Sequence, residues 1–178
     1  MSMLTRLLTL LLILVLVVGF SAQAQNKYVG VKTCSMCHKA DKTGNQFGVW
    51  SKSAHAQAYK TLTGEKAAAI AKAKNIKNAA EAPECLECHG AVDAKLIGTY
   101  DVKDGVQCET CHGPGSAYKT MATMKDKPKA IAAGLHEFKD AAAIEKFCKT
   151  CHNEKSPTNK AFKFDEYWAK IKHTVPKP

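Results

Sequence analysis

Along this chain of 178 residues the apolar positions fall into two regimes. From Leu7 to Val18 they run with only Thr9 among them; elsewhere they come singly or in short groups separated by lysine, alanine, glycine and small polar residues. The apolar run follows Arg6 and precedes Ala22-Gln23-Ala24, the order of charged n-region, apolar h-region and small-x-small cleavage site of a secretory signal peptide. Residues 1–24 are therefore expected to be a signal peptide and 25–178 the mature domain. The run is short for a membrane span, which takes roughly 20 residues. No later segment is longer or more apolar, so an integral membrane protein is not expected. No cysteine lies just after the run, which argues against a lipid anchor.

Past the leader the patterning is helical. Trp50 to Leu62 has helix-compatible composition, with the Ser51 and Ser53 hydroxyls available to cap its start. Glu65 to Glu81 is rich in alanine and lysine, with Ala68, Ala71 and Ile76 as an inner face, and Pro83 is expected to end it. Ser116–Lys125 and Pro128–Cys148 read as two more helices, the second interrupted near Gly134, and Phe162–Lys172 as a last one before a frayed Pro176-Lys-Pro178 tail. Strand signals are sparse. Gly98 to Gly105 reads as one short extended segment that turns at Asp104-Gly105. The fold class predicted is mainly α and loop-rich, in a single domain.

The cysteines change this picture. All eight sit in C-x-x-C pairs followed directly by histidine: Cys34, Cys37 and His38; Cys85, Cys88 and His89; Cys108, Cys111 and His112; Cys148, Cys151 and His152. An exported chain lives in an oxidising compartment such as the periplasm, where eight cysteines invite disulfides, but disulfides give no reason for the histidines. Zinc would ask for two nearby C-x-x-C pairs per site and gives no reason for them either. C-x-x-C-H is the pattern of c-type haem attachment. Two cysteines three apart lie near each other on a helical turn and reach the two vinyl groups, and the adjacent histidine faces the iron. The motifs imply four covalently attached haem c groups, each with its iron. Aromatic residues make up only 7% of the chain, too little large apolar mass for a sizeable polypeptide core, so the four haems are expected to form the core of a multihaem cytochrome fold.

Haem also reinterprets the charge. The formal net charge is +10, and loss of Arg6 with the leader leaves 25 basic against 16 acidic side chains. Two propionates per haem bring about −8, so the holo-protein sits near about +1 with ferrous irons and about +5 with ferric ones. The basic balance is mostly compensation for cofactor charge, and a nucleic-acid partner is not expected. A lysine-rich face for an acidic redox partner competes with the plainer reading of a solvated surface.

Four proximal histidines leave three of the seven: His55, His136 and His173. All three fall in or beside predicted helices with apolar neighbours, and imidazole is a common sixth ligand of haem iron. Three distal histidines cannot close four irons. Met36 is a spacer inside the first motif, and Met121 and Met124 read as packing residues. One iron is therefore expected to be five-coordinate, able to bind a small molecule such as NO, CO or hydroxylamine. Tyr28, Tyr59, Tyr100 and Tyr118 are candidates for propionate contacts, with ordinary packing as the favoured explanation. The expected function is electron relay between a donor and an acceptor protein. A small-molecule redox enzyme at the open haem and a haem-wire subunit of a larger complex are the alternatives, and whether the chain is an enzyme stays open.

Val31-Lys-Thr-Cys-Ser-Met-Cys-His38 followed by Trp50-Ser-Lys-Ser-Ala-His55, together with Asp104-Gly-Val-Gln-Cys-Glu-Thr-Cys-His-Gly-Pro-Gly-Ser116, resembles the cytochrome c-554 family of tetrahaem cytochromes across essentially the whole mature chain. The resemblance implies a mainly helical electron carrier with three bis-histidine haems and one high-spin haem, fed in nitrifying bacteria by hydroxylamine oxidoreductase. It implies that the open haem is the one on His89 and that His55, His136 and His173 are the distal ligands, with His136 serving the haem on His38. Many multihaem relatives carry a ligating histidine near the position of Tyr118; tyrosine there favours His136 as the supplier.

Overall fold

The structure is a computed structural model that describes residues 25–174. The expected signal peptide and the Pro176–Pro178 tail lie outside the described residues. Ten short α-helices follow one another: α1 Val31–His38, α2 Gln46–Ser51, α3 Ala58–Thr61, α4 Glu65–Ala73, α5 Pro83–His89, α6 Cys108–His112, α7 Met121–Met124, α8 Lys127–Ala132, α9 Ala141–Cys148 and α10 Phe164–Ile171. Single 3₁₀ turns join several of them, at Asp41–Thr43, His55–Gln57, Ala94–Leu96, Val102–Asp104 and Gly115–Ala117. Among the described residues the only β pairing is one isolated parallel bridge, Tyr28 to Ile97. The mainly helical, loop-rich expectation holds.

The helices are shorter than the sequence pattern suggests, and each break has a local cause. The expected Trp50–Leu62 helix starts earlier, at Gln46, where the Asn45 side chain accepts from the Gly48 N–H as its cap. It then stops at Ser51. The Ser51 and Ser53 hydroxyls donate back to the carbonyls of Gly48 and Trp50 instead of capping, a local bond that competes with helix continuation. The Trp50 indole N–H donates to the Val106 carbonyl at 2.7 Å, and the Val106 N–H to the His55 carbonyl at 3.0 Å. The stretch is thus stapled to a distant loop.

Helix α4 ends at Ala73, not Glu81. Asn75 takes φ 56°, the Asn75 N–H reaches the Lys72 carbonyl and the Ile76 N–H the Ala71 carbonyl, the two bonds of a Schellman stop. Its inner face is Ala67 and Ala71, which pack with Leu62, Ile76 and Ala79; Ala68 is exposed. Pro83 opens α5 instead of closing α4, since the first helical position has no use for an N–H. Ser116–Lys125 is divided by Thr120, which caps α7. Pro128–Cys148 is divided more widely: Asp126 caps α8 and Asp140 caps α9, with Gly134 at φ 103° between them. His136 therefore lies in irregular chain and His55 in a 3₁₀ turn, where helices were expected, while His173 lies just past α10, after the helix as its expected end at Lys172 implies.

The polypeptide's own core is small. Beside Val29, Val31, Leu62, Ala71, Ala79, Ala82, Tyr100, Tyr118 and Ala130, the largest fully buried side chains are Gln107 and Glu109. Helix α1 packs on α2 and α6, α10 on α2, and α3 on α5. Leu62 centres a satellite cluster that also backs Cys85 and Leu86 of the second motif. Leu62→Ala is expected to cost about 2 kcal/mol, read as a lower thermal midpoint.

Candidate functional site: four motifs and three further histidines

Each motif occupies one helical turn. In the first three the helix runs through the histidine; in the fourth α9 ends at Cys148, and the Cys151 and His152 N–H groups continue the turn by donating to the Cys148 carbonyl at 3.2 and 3.0 Å. None of the eight cysteines is paired in a disulfide, and among the described residues no three His, Cys, Asp or Glu side chains converge as a bare metal ion would require.

The motifs are neighbours in a definite order. Helix α1 of motif one packs on α6 of motif three. Lys155, just past motif four, pairs with Glu87 of motif two at 4.0 Å. Burial pushes Cys111 up to about 12, with Cys148, Cys108 and Cys151 adding to the shift, so the cysteines of motif four lie within electrostatic reach of motif three. The order of neighbours is one, three, four, two.

Two histidine pairs face each other. The rings of His55 and His152 have centroids 6.1 Å apart, and those of His112 and His173 are 5.9 Å apart. An imidazole nitrogen binds a first-row metal at about 2 Å and its ring centre lies about 1 Å further, so two imidazoles across one metal ion stand about 6 Å apart. Both pairs fit an iron between them. The rings are also in the right protonation state: desolvation, then His173, pushes His112 down to about 4. Desolvation lowers His55, with His152 adding to it, and lowers His152 and His173 as well. A neutral imidazole is the form that ligates.

His38 and His89 have no histidine ring at that spacing among the described residues. Both are nonetheless oriented. The Gln46 amide nitrogen donates to the carbonyls of Thr43 and Thr174, so its oxygen is left to accept from His38 Nδ1 at 3.2 Å. His89 Nδ1 donates to the Ala58 carbonyl at 2.6 Å, with the Thr61 hydroxyl 3.1 Å away. His136 Nδ1 donates to the Cys111 carbonyl at 3.0 Å, and its backbone N–H to the His112 carbonyl at 2.9 Å. An Nδ1–H donor leaves Nε2 with its lone pair, the arrangement outer hydrogen bonds impose on ligating histidines. The close approach of Gly113 to Gly134 lets His136 dock there; a Cβ on Gly113 would lie 2.9 Å from the Gly134 carbonyl oxygen. His38 and His136 both act on His112 electrostatically, and His38 on His173. His136 therefore sits against the third motif, whose His112 also feels His38.

Sequence reasoning missed the residues that join these parts. Glu109, a spacer of the third motif, accepts from the N–H groups of Val29, Gly30 and Gly115 at 2.6–3.1 Å. Gln107 accepts from the Val31 N–H at 2.7 Å and donates to the Asp101 carbonyl. Together they cap the start of α1. Two of the tyrosines, Tyr100 and Tyr118, are buried and tied to the backbone. Tyr100 donates to the Gly90 and Gly105 carbonyls, and Tyr118 to those of His112 and Gly113.

Helical turns that each present two thiols and a histidine, set beside histidine pairs spaced for one iron, are the construction of a c-type cytochrome, a class that binds haem covalently. The family described as cytochrome c554 and c-prime matches residues 33–113, a stretch holding the first three motifs and His55. The chain is 31% identical over 150 residues to cytochrome c-554 of Nitrosomonas europaea, an alignment that covers 75% of this chain and 61% of that protein. This chain belongs to the cytochrome c-554 family. It thus spans about 61% of the length of the curated relative. No solved structure matches.

Gly105 ties the loop before motif three to His55. Its φ is 78°, and a Cβ there would lie 2.5 Å from the His55 carbonyl oxygen. Gly105→Ala is expected to cost about 2 kcal/mol or more, whereas Gly64→Ala, where a Cβ meets only the Thr61 carbonyl at 3.7 Å, should cost under about 1 kcal/mol. Thermal midpoints of the two holo-proteins check the contrast.

Proposed function

We propose that this chain is an exported periplasmic tetrahaem c-type cytochrome that relays electrons between protein redox partners. Three of its irons are closed by histidine on both faces, and one is open on the side away from His89. The observation that carries this reading is the pair of histidine couples at 5.9 and 6.1 Å. They match His173 with the haem held by Cys108, Cys111 and His112, and His55 with the haem held by Cys148, Cys151 and His152. His136, docked against motif three, on which the helix of motif one packs, is then the distal ligand for the haem of Cys34, Cys37 and His38. The haem of Cys85, Cys88 and His89 is left with one histidine.

Haem c supplies reversible one-electron chemistry at iron, and histidine on both faces keeps the potential below that of His/Met ligation. The chain's own part is to fix each porphyrin edge with two thioethers, bury His55, His112, His152 and His173 so that their neutral form is favoured, and orient His38, His89 and His136 through their Nδ1 atoms. The motif order one, three, four, two supports a continuous row of four groups. Arg6, the Leu7–Val18 run and Ala22-Gln23-Ala24 support export. No helix among the described residues is long and apolar enough to cross a membrane.

Pyridine haemochrome analysis of the mature protein should count four haems per chain. Carbon monoxide titration of the reduced protein should bind one equivalent per chain. Three haems or fewer, or two or more equivalents of CO, would contradict the assignment. Sustained NO or hydroxylamine turnover at rates far above those of other open-haem carriers would favour the enzyme reading.

A further inference from the structure

Of the eight spacer residues inside the four motifs, only Glu109 is buried, at 1% exposure. Oε1 accepts from Val29 and Gly115, and Oε2 from Val29 and Gly30, the acceptor-only pattern of a carboxylate. It has no cationic partner. The four ion pairs among the described residues use Glu137, Glu145, Glu87 and Glu166 instead, all with exposed side chains.

Glu109 also stands at a junction. It follows Cys108 in the chain, and it holds Gly30, whose carbonyl accepts from the Cys34 thiol at 3.7 Å. Its charge reaches both sulfurs. After burial, which is the larger cause, it also helps to push the Tyr100 and Tyr118 hydroxyls up. The junction of motifs two and four has no counterpart. The charges beside it are Glu87 and Lys155, an opposite pair whose side chains are 65% and 79% exposed and so screened by water and salt.

A buried anion in a low-dielectric site favours whichever redox state of a neighbour carries more positive charge. Ferric haem carries one more than ferrous. We propose that Glu109 is a potential-setting residue, a buried anion fixed between the first and third motifs that lowers the reduction potentials of the two haems attached there. The inference rests on the haem placement proposed above.

The test is an EPR-monitored redox titration of the holo-protein and three variants, with haem count and spin states measured on the same samples. Glu109→Gln removes the charge, and two low-spin steps should move together to higher potential while the high-spin haem and the third low-spin haem stay. Glu109→Asp draws the carboxylate back from Val29 and Gly30 toward Cys108, so one low-spin step should rise and the other stay; this variant carries the test if the glutamine variant does not load four haems. Gln107→Leu loosens the same junction without changing charge and should lower the thermal midpoint but move no potential. A uniform shift of all four steps, no shift in Glu109→Gln, both or neither step moving in Glu109→Asp, or an equal shift in Gln107→Leu would overturn the proposal. If the count or the spin states fail in the unsubstituted protein, it is the haem assignment that falls.

Discussion

The hydrogen bonds from Val29, Gly30 and Gly115 to the Glu109 carboxylate hold together segments that lie 79 and 80 positions apart in the chain. A buried N–H that loses its acceptor costs about 1–3 kcal/mol, so this one side chain accounts for several. Helix α1 begins where Gln107 takes its first N–H group, that of Val31, and Glu109 takes those of Val29 and Gly30 just before it, and that start sets the positions of Cys34, Cys37 and His38. At its other end the third motif presents the Cys111 and His112 carbonyls, on which His136 docks. Gln46 adds a second tie, from His38 to the backbone beside His173. The first and third motifs are thus one unit, to which His136 and His173 are brought from elsewhere in the chain.

That unit is polar where most domains are apolar. Buried polar groups are more informative than buried hydrophobes, and here the two largest fully buried side chains are a glutamine and a glutamate. The hydrophobic residues that are buried are mostly small or near an edge. Such a chain has little apolar mass of its own to drive folding, consistent with haem groups as the main apolar content of the interior. Short helices suit the task. Each needs only one turn to present a motif, and several are started by asparagine, threonine or aspartate caps instead of being fixed by long packed faces.

The motifs and the count of seven histidines are carried by local patterns, which is why they are legible in the sequence. The helical class is legible too, because alanine and lysine dominate the linkers. Helix ends are less so. Ser51 and Ser53 look like caps but bond backward, and Asn75 stops α4 through a left-handed turn that composition does not announce. The pairing of His55 with His152 and of His173 with His112 depends on contacts across the whole chain. So does the role of Glu109. Charged spacers occur in three motifs, as Glu87, Glu109 and Lys149, so Glu109 does not stand out in the sequence; only the approach of Val29 and Gly30, set by the fold, reveals what it holds.

The central claim is that the histidines close three irons and leave one open. Low-temperature EPR of the fully oxidised holo-protein tests it most directly. One high-spin ferric signal is predicted beside low-spin signals that integrate to three haems. A spectrum in which all four haems are low-spin, or in which two or more are high-spin, would contradict it.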